Sequence, residues 1–253
     1  MISNLLVIQT DHFVNKIVTE AFAKGCNGTL INIKNYKKNS DLVATYGILR
    51  RTGEILKKSN NYWYLDHGYF KASKRAFAGK TSISDLDGYF RVVHNDFVHS
   101  GNGFCQSDRL EKLNLGFKPL RKNGEYIILS EPSHYIKQFF GLENWVEKTI
   151  NKLKLYTDRK IFVHNKTSEI KLKDLLKKAW AFVSEQSTAG FQAMIEGVPA
   201  HYTYKTMEGI NSLQEIESGK INYKIFSNLA YGQWKLKEIA SGEAWDFLKK
   251  DLL

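Results

Sequence analysis

One short segment in the second half of the chain combines residue types and spacing suited to binding a phosphate. An apolar strand predicted over residues 180–184 is followed almost at once by a helix predicted over 187–196. Ser187 and Thr188 can cap that helix, and its first backbone N–H groups, together with the helix dipole, attract an anion. Gly190 would permit close approach of the backbone. The alternative is an ordinary N-capped helix of the core that binds no ligand.

Strands and helices alternate on both sides of this segment. The predicted strands cover residues 5–8, 29–33, 41–46, 62–65, 89–93, 126–129, 160–163, 180–184 and 200–203. The predicted helices cover residues 13–23, 47–56, 142–153, 170–179, 187–196 and most of the tail from 225. This alternation predicts an α/β fold whose parallel sheets are built from βαβ units, with ligands at the carboxyl ends of the strands.

A looser stretch over residues 95–124 interrupts the alternation and is rich in Gly, Asn, Lys and Arg. We therefore predict two Rossmann-like lobes with a cleft between them. The N-terminal lobe would comprise residues 1–124. The C-terminal lobe would comprise residues 125–253, including the helical tail.

Composition restricts the classes of protein to which the chain can belong. A hydrophobic content of 43% with 25% charged residues is ordinary for a globular protein and argues against disorder. The 37 Lys and Arg residues exceed the 26 Asp and Glu residues, so the net charge is +11. Such a charge favours polyanionic partners, namely nucleic acid, an anionic membrane surface or phosphorylated small molecules. A surface that merely maintains solubility is the alternative.

The sequence also indicates a cytoplasmic location. No apolar run approaches the roughly 18 residues of a membrane span, and the N-terminus lacks the basic region of a signal peptide. Cys26 and Cys105 are far apart, and the seven His residues show no metal-binding spacing. We therefore expect no disulfide framework and no metal site.

Several segments resemble GT-B glycosyltransferases. The order of strand, Ser-Thr turn, helix, Gly-Val-Pro and strand is similar to the donor-phosphate segment of these enzymes, including capsule-polysaccharide types. Segments similar to bacteriophage glycosyltransferases cover residues 66–70, 89–92, 229–234, 238–239 and 241–245. The resemblance spans most of the chain in short pieces and implies a GT-B-like fold. It implies no particular substrate, and a phage-encoded protein would act in the host cytoplasm.

The resemblance implies a set of donor-binding residues. Ser187 and Thr188 would contact the diphosphate of a nucleotide-sugar, expected to be a UDP-sugar, and Lys166 would supply a cation to it. His164 stands where related sequences tend to have Arg, and an imidazole binds phosphate less well than a guanidinium. Glu217 resembles the acidic residue that holds the donor ribose hydroxyls, although a solvated helix-face carboxylate is the alternative. No further cofactor is implied.

Two carboxylates are candidates for a catalytic base in the N-terminal lobe, which binds the acceptor in this fold. Inverting transfer requires a base that deprotonates the acceptor hydroxyl. Asp66, at a predicted strand end, is our first candidate, and Asp96, in a polar loop after a strand, is the second. Either residue could instead cap a turn.

Basic and aromatic residues interleave in the same lobe. Lys and Arg could follow a phosphate backbone while aromatic rings stack on an extruded base. The candidate DNA-binding residues are His67, Tyr69, Lys71, Lys74 and Arg75. The alternative is a set of solvated helix faces around a normal aromatic core.

Three functions follow from these observations. The first is a phage-type glycosyltransferase that moves a sugar to a hydroxyl of a modified base, such as a 5-hydroxymethylpyrimidine, in double-stranded or locally opened DNA. The second is a glycosyltransferase that acts on a surface polysaccharide or a protein. The third is a noncatalytic protein that binds DNA or a nucleotide.

Overall fold

The computed structural model describes residues 5–37, 42–73, 86–99, 105–208 and 211–252. The chain divides into two compact units. The first unit consists of Met1–Arg109 together with Ser227–Leu253, and the second unit consists of Leu110–Phe226.

The described strands belong to two sheets. In chain order they are β1 (Leu6–Gln9), β2 (Thr29–Asn32), β3 (Leu42–Tyr46), β4 (Asn61–His67), β5 (Tyr89–His94), β6 (Tyr126–Ser130), β7 (Lys160–His164), β8 (Ala179–Ser184), β9 (Ala200–Tyr202) and β10 (Gln233–Lys235). The described α-helices are α1 (Phe13–Cys26), α2 (Thr52–Lys57), α3 (Asp108–Leu113), α4 (His134–Phe140), α5 (Trp145–Leu153), α6 (Leu172–Leu175), α7 (Thr188–Ile195), α8 (Lys205–Glu208), α9 (Lys224–Tyr231), α10 (Leu236–Ala240) and α11 (Glu243–Leu248).

The first unit contains a six-stranded sheet in the order β10-β5-β4-β3-β1-β2. Strands β1 to β4 are parallel, whereas β5 runs antiparallel to β4 and β10 antiparallel to β5. Helix α1 places Val14, Val18 and Phe22 in the core of this unit. The α/β class predicted from the alternation is therefore confirmed, with an antiparallel extension at one side of the sheet.

The tail belongs to the first unit and not to the C-terminal lobe predicted over residues 125–253. Strand β10 pairs with β5, and Trp234 is 2% exposed in the core that α1 covers. Ile239 and Leu248 from the two following helices complete the same core. The sequence did not indicate that the chain returns to the first unit after residue 226, because no segment with the composition of a linker lies at that position.

The second unit contains a parallel four-stranded sheet in the order β7-β6-β8-β9. Ile127 and Leu129 from β6 and Val183 from β8 form its core with Trp145 and Leu153, the two ends of α5. The chain leaves β6 toward β7 on one side and continues from β8 to β9 on the other. The carboxyl ends of β6 and β8 are therefore the point at which the strand order reverses.

Candidate functional site

The carboxyl ends of β6 and β8 form the candidate site of the second unit. In open parallel sheets, ligands bind outside the carboxyl ends of the strands, at the point where the strand order reverses. We call the edge of this sheet where β6 to β9 end the carboxyl edge, and the opposite edge the amino edge. Strand β8 ends at Ser184, and α7 begins only four residues later, at Thr188.

Ser187 organises the turn between β8 and α7. It is the N-cap of α7, with extended backbone angles, and its hydroxyl accepts a hydrogen bond from Ala189 N at 3.2 Å. The N–H of Ser187 donates in turn to the hydroxyl of the buried Ser184, at 3.3 Å. These two bonds fix the start of the helix, so its N-terminus faces the carboxyl edge in a defined orientation.

Several hydrogen-bond donors at this turn have no acceptor within the described part of the chain. One is the backbone N–H of Thr188, the first residue of α7. Gln186 supplies its backbone N–H and its buried Nε2 atom. Unpaired donors at a helix N-terminus form a suitable site for an anion. The sequence pattern identified the Thr188 position, whereas the orphaned amide of Gln186 depends on tertiary packing and was missed.

Gly190 serves a different purpose from the one expected. A Cβ atom at this position would lie 2.4 Å from Tyr202 Oη. Tyr202 is completely buried, and its hydroxyl has no partner among the described residues. The close approach that Gly190 permits is therefore that of the Tyr202 side chain to the first turn of α7.

Lys166 and His164 lie at the same carboxyl edge, after β7. Because β7 and β8 lie on either side of β6, their ends are about 10 Å apart. Lys166 follows Asn165, whose side chain accepts a bond from Thr167 N at 3.0 Å and fixes the turn. The His164 Nε2 atom lies 3.1 Å from Ile170 O, so this imidazole contacts the turn itself. A role of either side chain in phosphate binding stays a prediction.

Glu131 connects the loops that follow β6 and β7. It accepts hydrogen bonds from Lys137 Nζ at 2.8 Å and from Asn165 Nδ2 at 3.2 Å, and these bonds lower the pKa of its carboxyl. Glu131 also lines a cavity of about 340 Å³ together with Glu143 and Glu147. The acidic lining disfavours a phosphate in that cavity.

Glu217 lies at the amino edge of the sheet and is not brought together with Ser187 and Thr188. Both carboxylate oxygens accept from Arg159 Nε at 3.0 Å, immediately before β7 begins. The Arg159 guanidinium lies 4.2 Å from the ring centroid of Trp180, near the start of β8. The geometry therefore favours a structural ion pair over contact with a ligand at the carboxyl edge.

We expect Glu217→Ala to leave nucleotide binding unchanged. The substitution should lower the free energy of unfolding by no more than about 1 kcal/mol, because the pair with Arg159 is partly exposed. Urea denaturation and calorimetric titration with a nucleoside diphosphate measure the two quantities on one preparation. A selective loss of nucleotide binding at unchanged stability would instead support the ribose-binding role predicted for Glu217.

Asp66 lies at the carboxyl end of β4 in the first unit and forms an ion pair. Its Oδ2 accepts from Arg91 Nη2 at 2.9 Å and from Tyr64 Oη at 2.6 Å, while Oδ1 accepts from His67 N at 2.8 Å. Burial raises the pKa of the Asp66 carboxyl, but Arg91 and Tyr64 together lower it further, so it lies below the ordinary value. A carboxylate with these partners is a weak base. Its predicted catalytic role stays a prediction.

Asp96 lies at the opposite edge of the first sheet. Because β5 runs antiparallel to β4, the loop after β5 reaches the start of β4, where Asn95 N donates to Tyr62 O at 2.9 Å. The Asp96 carboxylate accepts from Phe97 N at 2.6 Å. The structure therefore does not place Asp96 beside Asp66, and only Asp66 lies at a carboxyl end of a parallel strand.

Two aromatic residues proposed for DNA contact are integrated into the first unit. The His67 Nδ1 atom lies 2.8 Å from Ser73 Oγ. Tyr69 is 7% exposed, its hydroxyl accepts from His99 N at 2.8 Å, and burial raises the pKa of Tyr69 to about 12. A ring so packed does not present a face on which an extruded base could stack.

The basic residues proposed for DNA contact are only partly described. Lys71 is exposed and adopts a positive φ of 45°. Lys74 and Arg75 lie outside the described residues. Phosphate contacts of these three side chains stay predictions.

The described residues were compared with the requirements of a metal site and of a membrane-spanning helix. Within the described ranges, no three His, Cys, Asp or Glu side chains come together as a metal ion would require. Among the helices that the structure describes, none is both long and apolar enough to cross a membrane.

Comparison with solved structures identifies the fold. A KpsC beta Kdo 2,7 transferase of Thermosulfurimonas dismutans matches with a TM-score of 0.55 at 11% identity, over 97% of this chain and 100% of that chain. The beta Kdo 2,4 transferase of KpsC from the same organism matches with a TM-score of 0.50 at 12% identity, over 89% of each chain. No protein-family model and no curated protein sequence matches the chain. At these identities the likeness concerns the fold, and it confirms the predicted GT-B-like fold of two Rossmann-like lobes.

Proposed function

We propose that the protein is a glycosyltransferase whose second unit binds the phosphate of a nucleotide-sugar at the β8–α7 turn. The observation that carries the proposal is the pair of unpaired donors, Thr188 N–H and Gln186 Nε2, at the point where the strand order reverses. The names of the two fold neighbours, both Kdo transferases, support this class of reaction.

The reaction moves a glycosyl group from phosphate to a hydroxyl. The acceptor oxygen forms a bond to the anomeric carbon of the sugar, and the bond between that carbon and the phosphate oxygen breaks. The acceptor proton passes to a base, and the leaving nucleotide retains the electron pair. Donors fixed at the turn stabilise the negative charge that develops on the leaving phosphate, with Lys166 as a further cation.

The acceptor that we propose is a hydroxyl of a surface polysaccharide. The neighbours' action on Kdo, a sugar, favours a carbohydrate substrate. The burial of Tyr69 removes one of the rings proposed to stack on a DNA base. Transfer to a 5-hydroxymethylpyrimidine in phage DNA stays the second candidate, which the net charge of +11 favours.

Turnover of nucleotide-sugars tests the proposal. The full chain is incubated with donors that differ in base, in sugar and in the number of phosphates. The acceptors are capsule-type oligosaccharides, hydroxymethylated DNA and unmodified DNA, and mass spectrometry reads the products. A sugar-sized mass gain on an oligosaccharide supports the proposal, and a gain only on hydroxymethylated DNA selects the second candidate.

Matched variants relate turnover to the site. Lys166→Ala should reduce turnover if this cation stabilises the leaving phosphate, whereas Lys160→Ala, at the amino end of the same strand, should not. No turnover with any donor, combined with salt-sensitive DNA binding that Asp66→Ala leaves intact, would contradict a glycosyltransferase and indicate a noncatalytic DNA-binding protein.

A further inference from the structure

Glu185 is a buried carboxylate that no basic side chain in the described part of the chain neutralises. It is the first residue after β8 and is 8% exposed. Its Oε2 accepts a hydrogen bond from Trp145 Nε1 at 2.9 Å and a short one from Thr203 Oγ1. Both donors are neutral. Carboxyl groups are rarely buried to this extent without a cationic partner, so the burial of Glu185 requires an explanation.

The two hydrogen bonds involve only one of the two carboxylate oxygens of Glu185. Both reach Oε2, and Oε1 receives no hydrogen bond from the described residues. The bonds from Trp145, at the start of α5, and from Thr203, just after β9, hold the group in place. Because Oε1 is not among the fully buried unpartnered atoms of the described residues, Glu185 presents one fixed acceptor oxygen that remains open to a ligand at the carboxyl edge.

The surroundings indicate which kind of group would satisfy this oxygen. Gln186, the next residue, has a buried amide nitrogen without a partner, and the Thr188 N–H is also unpaired among the described residues. A phosphate suits these donors, but the Glu185 carboxylate repels it because the charges have the same sign. A neutral hydroxyl donates a hydrogen bond to a carboxylate without that repulsion. The turn therefore suits a ligand that carries phosphate oxygens and hydroxyls close together.

We propose that Glu185 Oε1 accepts a hydrogen bond from a hydroxyl of the ligand whose phosphate binds at the β8–α7 turn. The carboxylate thereby selects hydroxyl-bearing ligands, and by repelling phosphate it fixes their orientation along the carboxyl edge. This inference rests on the proposed function. In a nucleotide-sugar, either the ribose or the transferred sugar could supply the hydroxyl.

Calorimetric titration of the full chain with nucleotides tests the inference. A panel of uridine, cytidine, adenosine and guanosine diphosphates first identifies the nucleotide that binds most tightly. That nucleotide is then compared with its 2′,3′-dideoxy analogue, and its sugar conjugate is compared with the conjugate of a deoxy sugar. We expect roughly tenfold or greater loss of affinity in one comparison, because a site built to bond a hydroxyl strongly rejects the analogue that lacks it. The comparison that shows the loss identifies the source of the hydroxyl.

Glu185→Gln provides the matched variant. Its amide oxygen keeps the acceptor for Trp145 and Thr203, while an NH2 group replaces Oε1. Because the variant no longer repels the phosphate, we expect it to bind the hydroxyl-free analogue at least as tightly as the natural protein does and to lose the preference for the hydroxylated ligand. A preference that survives in a folded Glu185→Gln protein would overturn the inference.

If Glu185→Gln fails to fold, the comparison of hydroxylated and hydroxyl-free ligands on the natural protein alone still tests the inference. Equal affinity of the natural protein for the hydroxylated and hydroxyl-free ligands in both comparisons would overturn the role of Glu185 and leave the proposed function standing. Failure of every nucleotide and nucleotide-sugar to bind would overturn both proposals.

Discussion

Arg91→Met is expected to lower the free energy of unfolding by about 3 kcal/mol at neutral pH, since breaking a buried pair leaves an uncompensated charge. The Arg91 side chain is 13% exposed, and its partner Asp66 is 25% exposed. Arg91 also donates to Phe97 O at 2.9 Å and lies over the ring of Tyr64, at 5.2 Å from its centroid. Methionine fills similar space without supplying the charge or the donors.

The same substitution should create a dependence of stability on pH between about 5 and 7 that the natural Asp66 does not produce. In the natural protein the pKa of Asp66 is lowered, so its stabilising contribution is present above the unfolded pKa of about 3.9 and is lost as the pH falls through the lower folded value. Without Arg91, burial should raise the pKa of Asp66 above its ordinary value. The variant should then become more stable as the pH falls from 7 toward 5.

Urea denaturation of the natural protein, Arg91→Met, Asp66→Asn and the double variant measures both effects. We expect the double variant to be more stable than Arg91→Met alone, because the uncompensated carboxylate is gone. Additive losses without any coupling between the two positions would show that the pair contributes little and that Asp66 is available as a base.

The local pattern of the sequence was sufficient for most elements. The apolar run predicted as a strand over residues 5–8 lies at Leu6–Gln9, and the helical spacing from Phe13 produces α1. These predictions hold because a strand and an amphipathic helix are specified by periodicity within a few residues. The turn that begins α7 was predicted in the same way, since capping residues such as Ser187 are local signals.

Local sequence patterns do not show which strands pair when those strands lie far apart in the chain. Strand β10 is three residues long and pairs with β5 across more than a hundred positions of sequence, so the tail was assigned to the wrong unit. The antiparallel direction of β5 was also missed, and with it the location of Asp96 at the opposite edge from Asp66. Strand direction follows from the connections between elements, and the composition of a single strand does not encode it.

Burial separated the candidate site residues from the structural ones. Tyr69 and Glu217 match functional patterns in the sequence, yet the first packs in the core and the second pairs with Arg159 at the amino edge. Glu185 and Gln186 match no motif. Their unpaired atoms become visible only when every hydrogen-bond partner is known, which requires the tertiary structure.

Thr188→Pro is expected to weaken binding of a nucleotide by roughly 10- to 100-fold while leaving α7 folded. This loss of affinity corresponds to about 1.5–3 kcal/mol, the contribution of a hydrogen bond to a charged group. Proline removes the backbone N–H together with the threonine hydroxyl, and the first helical position tolerates it because that N–H has no partner in the helix. The preceding residue, Ser187, has φ −69° and ψ 134°, the extended conformation that a following proline requires.

Thr188→Ala is the matched control, because it removes the hydroxyl and keeps the N–H. Calorimetric titration with the tightest-binding nucleoside diphosphate and thermal unfolding of both variants separate binding from stability. We expect Thr188→Ala to bind within about threefold of the natural protein, as a neutral hydroxyl contributes less than a donor aimed at the phosphate. Natural affinity in a folded Thr188→Pro protein would show that the Thr188 N–H does not bind the phosphate, since Ser187 Oγ already accepts from Ala189 N and only Thr188 loses its donor in this variant.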